Sequence, residues 1–286
     1  MNTNQENKKL VSIGMATRNH APSIKYALNS LLSQTYPNFE LIILDGASTD
    51  DTQKICEEFA EKDNRVRYIR KETNGGFIND FGNVLKEGKG EYFMWAADDD
   101  WWHPTFVEKM VHALENSKKH DVAMSHFSER RTFEYNPESV TNIFEHNYTN
   151  ANNFDVYKKM IKAKVNPIFF HGLYRREALN KLYRRMIPNC IDGFTIFNCE
   201  AALATNFYSV PEVLYSKYKN PEPITARHEF IKKTYEAGFP QTKYLLTMLS
   251  WLLTSPNIPI YRKPFIIPPW LKLAYKNKRK IVNEFV

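Results

Sequence analysis

Three consecutive aspartates, Asp98, Asp99 and Asp100, interrupt the stretch YFMWAADDDWWHP at residues 92–104. A mostly apolar run leads into them, two tryptophans follow, and no lysine or arginine lies within the stretch. Neighbouring carboxylates repel one another by on the order of 1 kcal/mol per close pair in wet surroundings, and by more where buried. A divalent cation reverses that sign. Hard oxygen ligands suit Mg²⁺ or Mn²⁺, with one or two carboxylates and substrate phosphates completing the shell. A solvated acidic loop with a helix-capping residue is the plainer alternative, and the apolar lead-in favours the metal. Two other polar clusters carry chemistry of their own: Thr17-Arg18-Asn19, and Asp45 at the head of DGASTDD. Taken alone, Asp45 reads equally well as part of a turn that starts a helix.

The elements around these clusters explain how they could meet. Residues 10–16 (LVSIGMA), 40–45 (ELIILD), 66–69, 92–97 and 122–128 read as strands, each but the last followed by a helical pattern. Pro22 sits where a first helical residue would, before an apolar face of Ile24, Ala27, Leu28, Leu31 and Leu32. Thr49 or Asp50 is placed to cap the second helix, a third spans residues 80–86, and Pro104 opens a fourth. Repeated β-α units predict an α/β fold with a mostly parallel sheet and helices on both faces. Ligands of such sheets bind at the carboxyl ends of the strands. All three clusters fall there, after the first, second and fourth strands. Beyond residue 130 the pattern loosens. HGLYRREALNKL reads as a helix start, NCIDGFTIFNCEAALA as a helix and FYSVPEVLYSKY as a returning strand.

Composition narrows the class. With 286 residues, 43% of them hydrophobic and 25% charged, the chain has ample material for a globular core. Cys56, Cys190 and Cys199 form neither a CxxC pair nor an even set, which fits a reducing compartment and buried spectator thiols. The start, MNTNQENKKL, lacks the apolar core of a signal peptide. Residues 244–254 form the most apolar helical run, about half of the ~20 residues that a membrane span needs. A cytoplasmic protein is therefore expected, with residues 1–9 disordered. Of 39 basic and 32 acidic residues, residues 257–286 hold seven basic and one acidic, so the body is nearly neutral. No basic stripe runs through the motifs, which argues against nucleic acid as a partner. The missing GxGxxG after the first strand disfavours a nicotinamide dehydrogenase, and the missing GxxxxGK[ST] excludes a P-loop enzyme.

The ordered stretches VSIGMATRNHAPSIKYALNSLLSQTYPNFELIILDGASTDDT and NGGFINDFGNVLKEGKGEYFMWAADDDWWHP resemble the family 2 glycosyltransferases of GT-A fold, over roughly residues 10–220. The resemblance implies an inverting, metal-dependent transferase that uses a nucleotide-diphosphate-sugar donor, with UDP expected first, and Mn²⁺ or Mg²⁺. Thr17 and Asn19 would line the nucleotide pocket, Asp45 would bond the base, and Asp98 would touch the ribose. Asp99 and Asp100 would hold the metal. The family's acidic pair at a helix start matches CIDGFTIF, so Asp192 would be the catalytic base, with Ile191 where Glu is common. Trp101 and Trp102 would stack on an acceptor sugar, with buried packing the equal alternative for at least one of them, and Lys217 or Lys219 would assist the phosphates or be plain surface lysines.

On this reading residues 10–128 form the nucleotide-sugar half, 129–220 the acceptor half, and 221–286 a helical, basic-aromatic extension. The acceptor would be a saccharide or lipid-linked saccharide of cell-surface glycan assembly. The mixed aromatic and basic residues of 257–280 read either as an ordinary solvated terminus or as a contact with an anionic membrane surface, which would make the protein peripheral at the inner membrane face. One departure stands out: Ala97 occupies a position where many members carry Asp. With Ile191 it favours the rival reading, a non-catalytic nucleotide-sugar or glycan binder on the same fold. A hydrolase or nucleotidyltransferase built on the same acidic crevice ranks third.

Overall fold

The computed structural model describes residues 8–162, 172–183, 193–219 and 240–282. Two compact units are found within the chain. The first comprises Met1–Thr149, His171–Asn180 and Phe207–Lys219; the second comprises Asn150–Phe170, Lys181–Asn206 and Asn220–Val286.

The first unit is built on a nine-stranded sheet. Strands β1 (Val11–Thr17), β2 (Phe39–Asp45), β3 (Val66–Arg70) and β4 (Tyr92–Ala96) are parallel, in the order β3-β2-β1-β4. They alternate with helices α1 (Ala21–Leu32), α2 (Thr52–Lys62) and α3 (Phe77–Glu87). Every residue of β1 and β4 is buried, as are Ile24, Ala27, Leu28 and Leu31 of α1, the apolar stripe predicted from spacing. Gly14 in mid-β1 is needed for packing: a Cβ there would lie 2.6 Å from the Phe93 ring.

Past β4 the sheet turns mixed. The short β5 (Trp101–Trp102) precedes helix α4 (Phe106–Glu115) and strand β6 (Val122–Arg130), and β7 (Val140–Phe144) pairs antiparallel with β6. Strand β8 (Leu173–Arg175) lies antiparallel between β4 and β6, and β9 (Phe207–Tyr218) runs parallel to β6 and antiparallel to β5. The mostly parallel α/β expectation thus holds for the first four strands. The sequence HGLYRREALNKL was expected only to start a helix. Its LYR is strand β8, and α6 (Arg176–Leu182) follows without a gap. Three residues are too few for an alternating pattern to show.

Helix starts differ by a residue or two from those expected. Helix α1 begins at Ala21 and α4 at Phe106, whereas Pro22 and Pro104 were expected to open them. Helix α2 begins at Thr52, and Asp50 accepts from Thr52 N at 3.0 Å through one oxygen and from Ala21 N at 3.1 Å through the other. Asp50 therefore ties the starts of two helices together. Of the expected disordered start, residues 1–7 lie outside the described residues, while the Lys9 carbonyl accepts from the Tyr36 hydroxyl at 2.6 Å.

The second unit contains α5 (Asn153–Lys162), α7 (Gly193–Ala204), α8 (Pro240–Thr254), a 3₁₀ segment (Ile260–Ile266), α9 (Ile267–Lys276) and α10 (Lys278–Val282). Helix α7 buries Ile196, Phe197, Cys199 and Leu203. Its buried Glu200 accepts from Trp251 Nε1 and Ser255 Oγ, both at 2.5 Å, and from Asn257 Nδ2 at 3.0 Å. A buried carboxylate with three donors is a satisfied structural group. No helix among the described residues is long and apolar enough to cross a membrane.

Candidate active site

The parallel register sets Thr17 at the end of β1 beside Asp45 at the end of β2, and Asp45 beside Arg70 at the end of β3. Asp45 is fully buried, and four donors converge on it. Ser48 N and Oγ reach Oδ1 at 2.8 and 2.6 Å; Tyr68 OH and Arg70 Nη1 reach Oδ2 at 2.7 and 3.1 Å. Burial first, then the hydrogen bond to Asp45 and the Asp45 charge, push the Tyr68 phenol well above its ordinary range. Asp45 thereby braces the turn at the strand ends. A contact from it to a ligand requires exchange of one of these donors, and Arg70, about a third exposed, is the most accessible.

That turn is strained. Asn19 (φ 56°) and Ala47 (φ 61°) both take the left-handed backbone conformation, which costs an L-residue other than Asn or Asp roughly 1–2 kcal/mol. The cost therefore falls on Ala47, while Asn19 is held in place by its side chain, whose Oδ1 accepts from Thr49 N at 2.7 Å, and by its own N–H, which donates to Ser48 Oγ at 3.0 Å. The loops after β1 and β2 are laced into one rim. Strain held in this way by surrounding bonds is a common mark of ligand-binding turns.

The three aspartates beyond β4 occupy different environments. Asp98 is buried with its Oδ1 3.3 Å from His20 Nδ1. Burial raises its pKa, and the His20 ring and Thr17 hydroxyl oppose the rise. The Thr17 Oγ1 is itself buried and makes no well-formed hydrogen bond among the described residues, so it favours the carboxylate by proximity. Asp100 is anchored to β9: one oxygen accepts from Tyr215 OH, the other from Tyr218 N at 2.8 Å.

Asp99 sits between them. Burial first, then the charges of Asp100 and Asp98, hold its pKa well above the carboxylate range, with Lys217 and Arg130 pulling the other way. Among the described residues no hydrogen bond reaches its carboxylate. Its backbone carbonyl accepts from Arg130 Nη2 at 2.8 Å, and the same guanidinium reaches Ser216 O at 2.5 Å and Phe133 O at 3.1 Å. Arg130 is fully buried, and it fastens the aspartate loop to β6 and β9.

The donor set suits a hard divalent cation only in part. Among the described residues no cluster of three or more His, Cys, Asp or Glu can hold a metal unaided. Asp99 is crowded by like charge and lacks a hydrogen-bond donor, so a cation shared with substrate oxygens fits its environment.

Other expected site residues fall as follows. Trp102 is fully buried and its indole N–H has no partner among the described residues, so it packs in the interior where it was expected to meet an acceptor. Trp101 is half-buried and stacks on Tyr135 with ring centres 3.8 Å apart and planes at 8°. Lys219 pairs with Glu129 at 2.9 Å, which leaves Lys217 as the lysine whose charge acts on Asp99. Asp192, Ile191 and Cys190 lie outside the described residues.

Sequence reasoning overlooked His20, Arg70, Arg130 and Tyr215. Arg70 was within reach, because it ends the strand beside the one that ends in Asp45. Cys56 feels the site too. Burial, then the Asp45 and Asp98 charges, push its thiol up to about 12. At pH 8 iodoacetamide is therefore expected to leave Cys56 and the buried Cys199 unlabelled in the folded chain and to label both in denaturant, as read by peptide mass. Labelling of folded Cys56 within minutes would contradict the burial.

Comparison with known proteins settles the family. The sequence profile described as Glycosyl transferase family 2 matches residues 12–183, more than half of the chain. The chain belongs to that family and is a glycosyltransferase. It is 26% identical over 261 residues to "Putative glycosyltransferase EpsH" of Bacillus subtilis strain 168, covering 88% of this chain and 72% of the relative. Over 110 residues it is 37% identical to "UDP-Glc:alpha-D-GlcNAc-diphosphoundecaprenol beta-1,3-glucosyltransferase WfaP" of Escherichia coli, covering 38% of this chain and 43% of the relative. The match thus spans less than half the length of WfaP. The fold is that of S. aureus TarS 1-349, solved in complex with UDP-GlcNAc, with a TM-score of 0.67 at 18% identity, covering 94% of this chain and 73% of that one. The GT-A architecture expected from the motifs is therefore the one found.

Proposed function

We propose that this glycosyltransferase moves a sugar, with inversion, from a nucleotide-diphosphate donor to a hydroxyl of a saccharide or lipid-linked saccharide in cell-surface glycan assembly. A UDP-sugar is the first choice of donor. The observation that carries the reading is the set of three carboxylates beyond β4, of which Asp98 and Asp100 are buried and Asp99 meets neither a hydrogen-bond donor nor an ion-pair partner within bonding distance among the described residues. The UDP-GlcNAc complex of TarS and the UDP-Glc donor in the name of WfaP support the nucleotide, and the diphosphoundecaprenol acceptor in the latter supports a lipid-linked one.

Thr17 and Asn19 line the nucleotide pocket, Asp45 meets the base by exchanging its Arg70 contact, and Asp98 takes the ribose in place of the carboxylate that Ala97 lacks. Asp99 holds the cation, Mn²⁺ or Mg²⁺, whose chemistry is to neutralise charge growing on the leaving diphosphate. Asp100 holds the loop in register with β9. Trp101, backed by Tyr135, offers a flat apolar surface to the acceptor. An acceptor hydroxyl is a poor nucleophile, and Asp192 takes its proton as attack proceeds.

Residues 10–128 supply the donor half, 129–220 the acceptor half and 221–286 an extension. A lipid-linked acceptor would be met at the inner face of the membrane, with residues 257–280 as the contact. Asp192→Asn is expected to lower transfer about a hundredfold or more and to leave donor affinity in calorimetry unchanged. Wild-type turnover in that variant would remove Asp192 from the mechanism. Ala97 and Ile191 favour the second reading, a non-catalytic nucleotide-sugar binder, which predicts donor binding and no transfer with any acceptor.

A further inference from the structure

The C-terminal helices carry an apolar row on the side away from their packing. In α9, Ile267, Leu271 and Tyr275 recur at every fourth position and so share one face. They are 42%, 54% and 70% exposed. The preceding 3₁₀ segment adds Ile260, Tyr261 and Phe265 at 83%, 66% and 54%.

This exposure does not come from a loose tail, because the same segment is fastened on its other side. Ile266 and Pro269 are buried, and the Ile266 carbonyl accepts from Tyr157 OH at 3.2 Å. Trp270 Nε1 donates to Leu245 O at 2.8 Å, and Arg262 Nη1 donates to Leu203 O at 2.6 Å. Lys272 and Lys276 follow the apolar row one position on, and Lys278, Arg279 and Lys280 continue along α10, all exposed. Within residues 257–286 the balance is seven basic residues to one acidic.

We infer that this face docks on an anionic phospholipid bilayer, with the apolar row at the headgroup boundary and the lysines on lipid phosphates. Three features select this occupant. Tyrosines with apolar bodies and polar tips suit the headgroup level. Basic residues beside a surface apolar row match an interfacial helix, and no helix among the described residues is long and apolar enough to span. A second copy of the chain fits poorly, because a self-complementary interface would bring like charges together. The inference deepens the lipid-linked-acceptor reading and rests on it for its purpose, though not for its test.

The test is co-sedimentation of the full chain with vesicles of phosphatidylcholine alone and of phosphatidylcholine with phosphatidylglycerol, without donor or acceptor. Wild type is expected to pellet with the anionic vesicles only, and to release as salt rises. Lys272→Gln with Lys276→Gln should weaken binding about thirtyfold, at about 1 kcal/mol per basic residue. Leu271→Ser with Tyr275→Ser should weaken it about tenfold or more. All four positions are exposed, and circular dichroism is the check that the variants fold. Wild type left in the supernatant, equal binding to both vesicle types, or either variant binding as wild type would overturn the inference. So would a solution dimer that Leu271→Ser with Tyr275→Ser dissociates. A chain that binds vesicles yet transfers no sugar removes the transferase reading alone; one that transfers to a soluble acceptor yet ignores vesicles removes this inference alone.

Discussion

Asp99→Asn is expected to reduce sugar transfer by about a thousandfold without weakening the fold. The catalytic loss follows from the role proposed for the carboxylate. Lewis-acid stabilisation of a leaving diphosphate supplies several kcal/mol, and each 1.36 kcal/mol is tenfold in rate. The stability side follows from the electrostatics. Burial and the Asp98 and Asp100 charges hold the Asp99 pKa well above normal, so the ionised group is a cost to the metal-free fold. The amide keeps the shape and removes that cost. Thermal melts without metal should therefore show a midpoint for the variant at or above that of wild type. Unchanged turnover would remove Asp99 from the metal site. A lowered midpoint with proportionate loss of activity would make it a structural residue.

The opposite pattern is expected of Arg130→Met. Arg130 is fully buried, donates to the carbonyls of Asp99, Phe133 and Ser216, and shares with Lys217 the charge that offsets Asp99, while also facing Asp100 and Tyr215. Methionine fills a similar volume but withdraws the guanidinium donor from these carbonyls and a counter-charge from the neighbouring carboxylates. Breaking a buried ionic arrangement by removing one partner costs about 3–5 kcal/mol, and that loss should appear in urea denaturation. Arg130→Lys keeps the charge but loses the planar fork and is expected to fall between. A methionine variant as stable as wild type would show that the aspartate loop is held by other means.

The two substitutions separate what was legible in the sequence from what was not. The strands that end in Thr17, Asp45 and Ala96 could be read because each is an apolar run broken by polar residues. Their parallel pairing places those ends side by side, which is why the clusters match one another and a family in the sequence alone. The partners of the aspartates were hidden for a different reason. Asp100 bonds to Tyr215 and Tyr218, 115 and 118 residues away, and this depends on the pairings that β9 makes with β5 and β6.

No local periodicity encodes that contact. For the same reason Asp99 and Asp100 looked alike in sequence, whereas the surroundings give all three aspartates separate environments: Asp98 against His20, Asp100 against β9, Asp99 without a donor among the described residues. Trp101 and Trp102 were equally alike in sequence. Pairing with β9 sets one half-buried against Tyr135 and the other wholly inside. Strand β8 was missed because three residues carry no pattern, and Asp192 rests on motif order alone.

Metal-dependent transfer from a nucleotide sugar is read out as nucleotide release. Wild-type protein would be offered UDP-, GDP- and dTDP-sugars with Mn²⁺, Mg²⁺ or a chelator, with and without a pool of lipid-linked saccharide acceptors. The account predicts release of UDP that requires both a divalent cation and an acceptor. Binding of the nucleotide sugar with no release under any combination would contradict it, and would leave a sugar-nucleotide binder on a transferase fold.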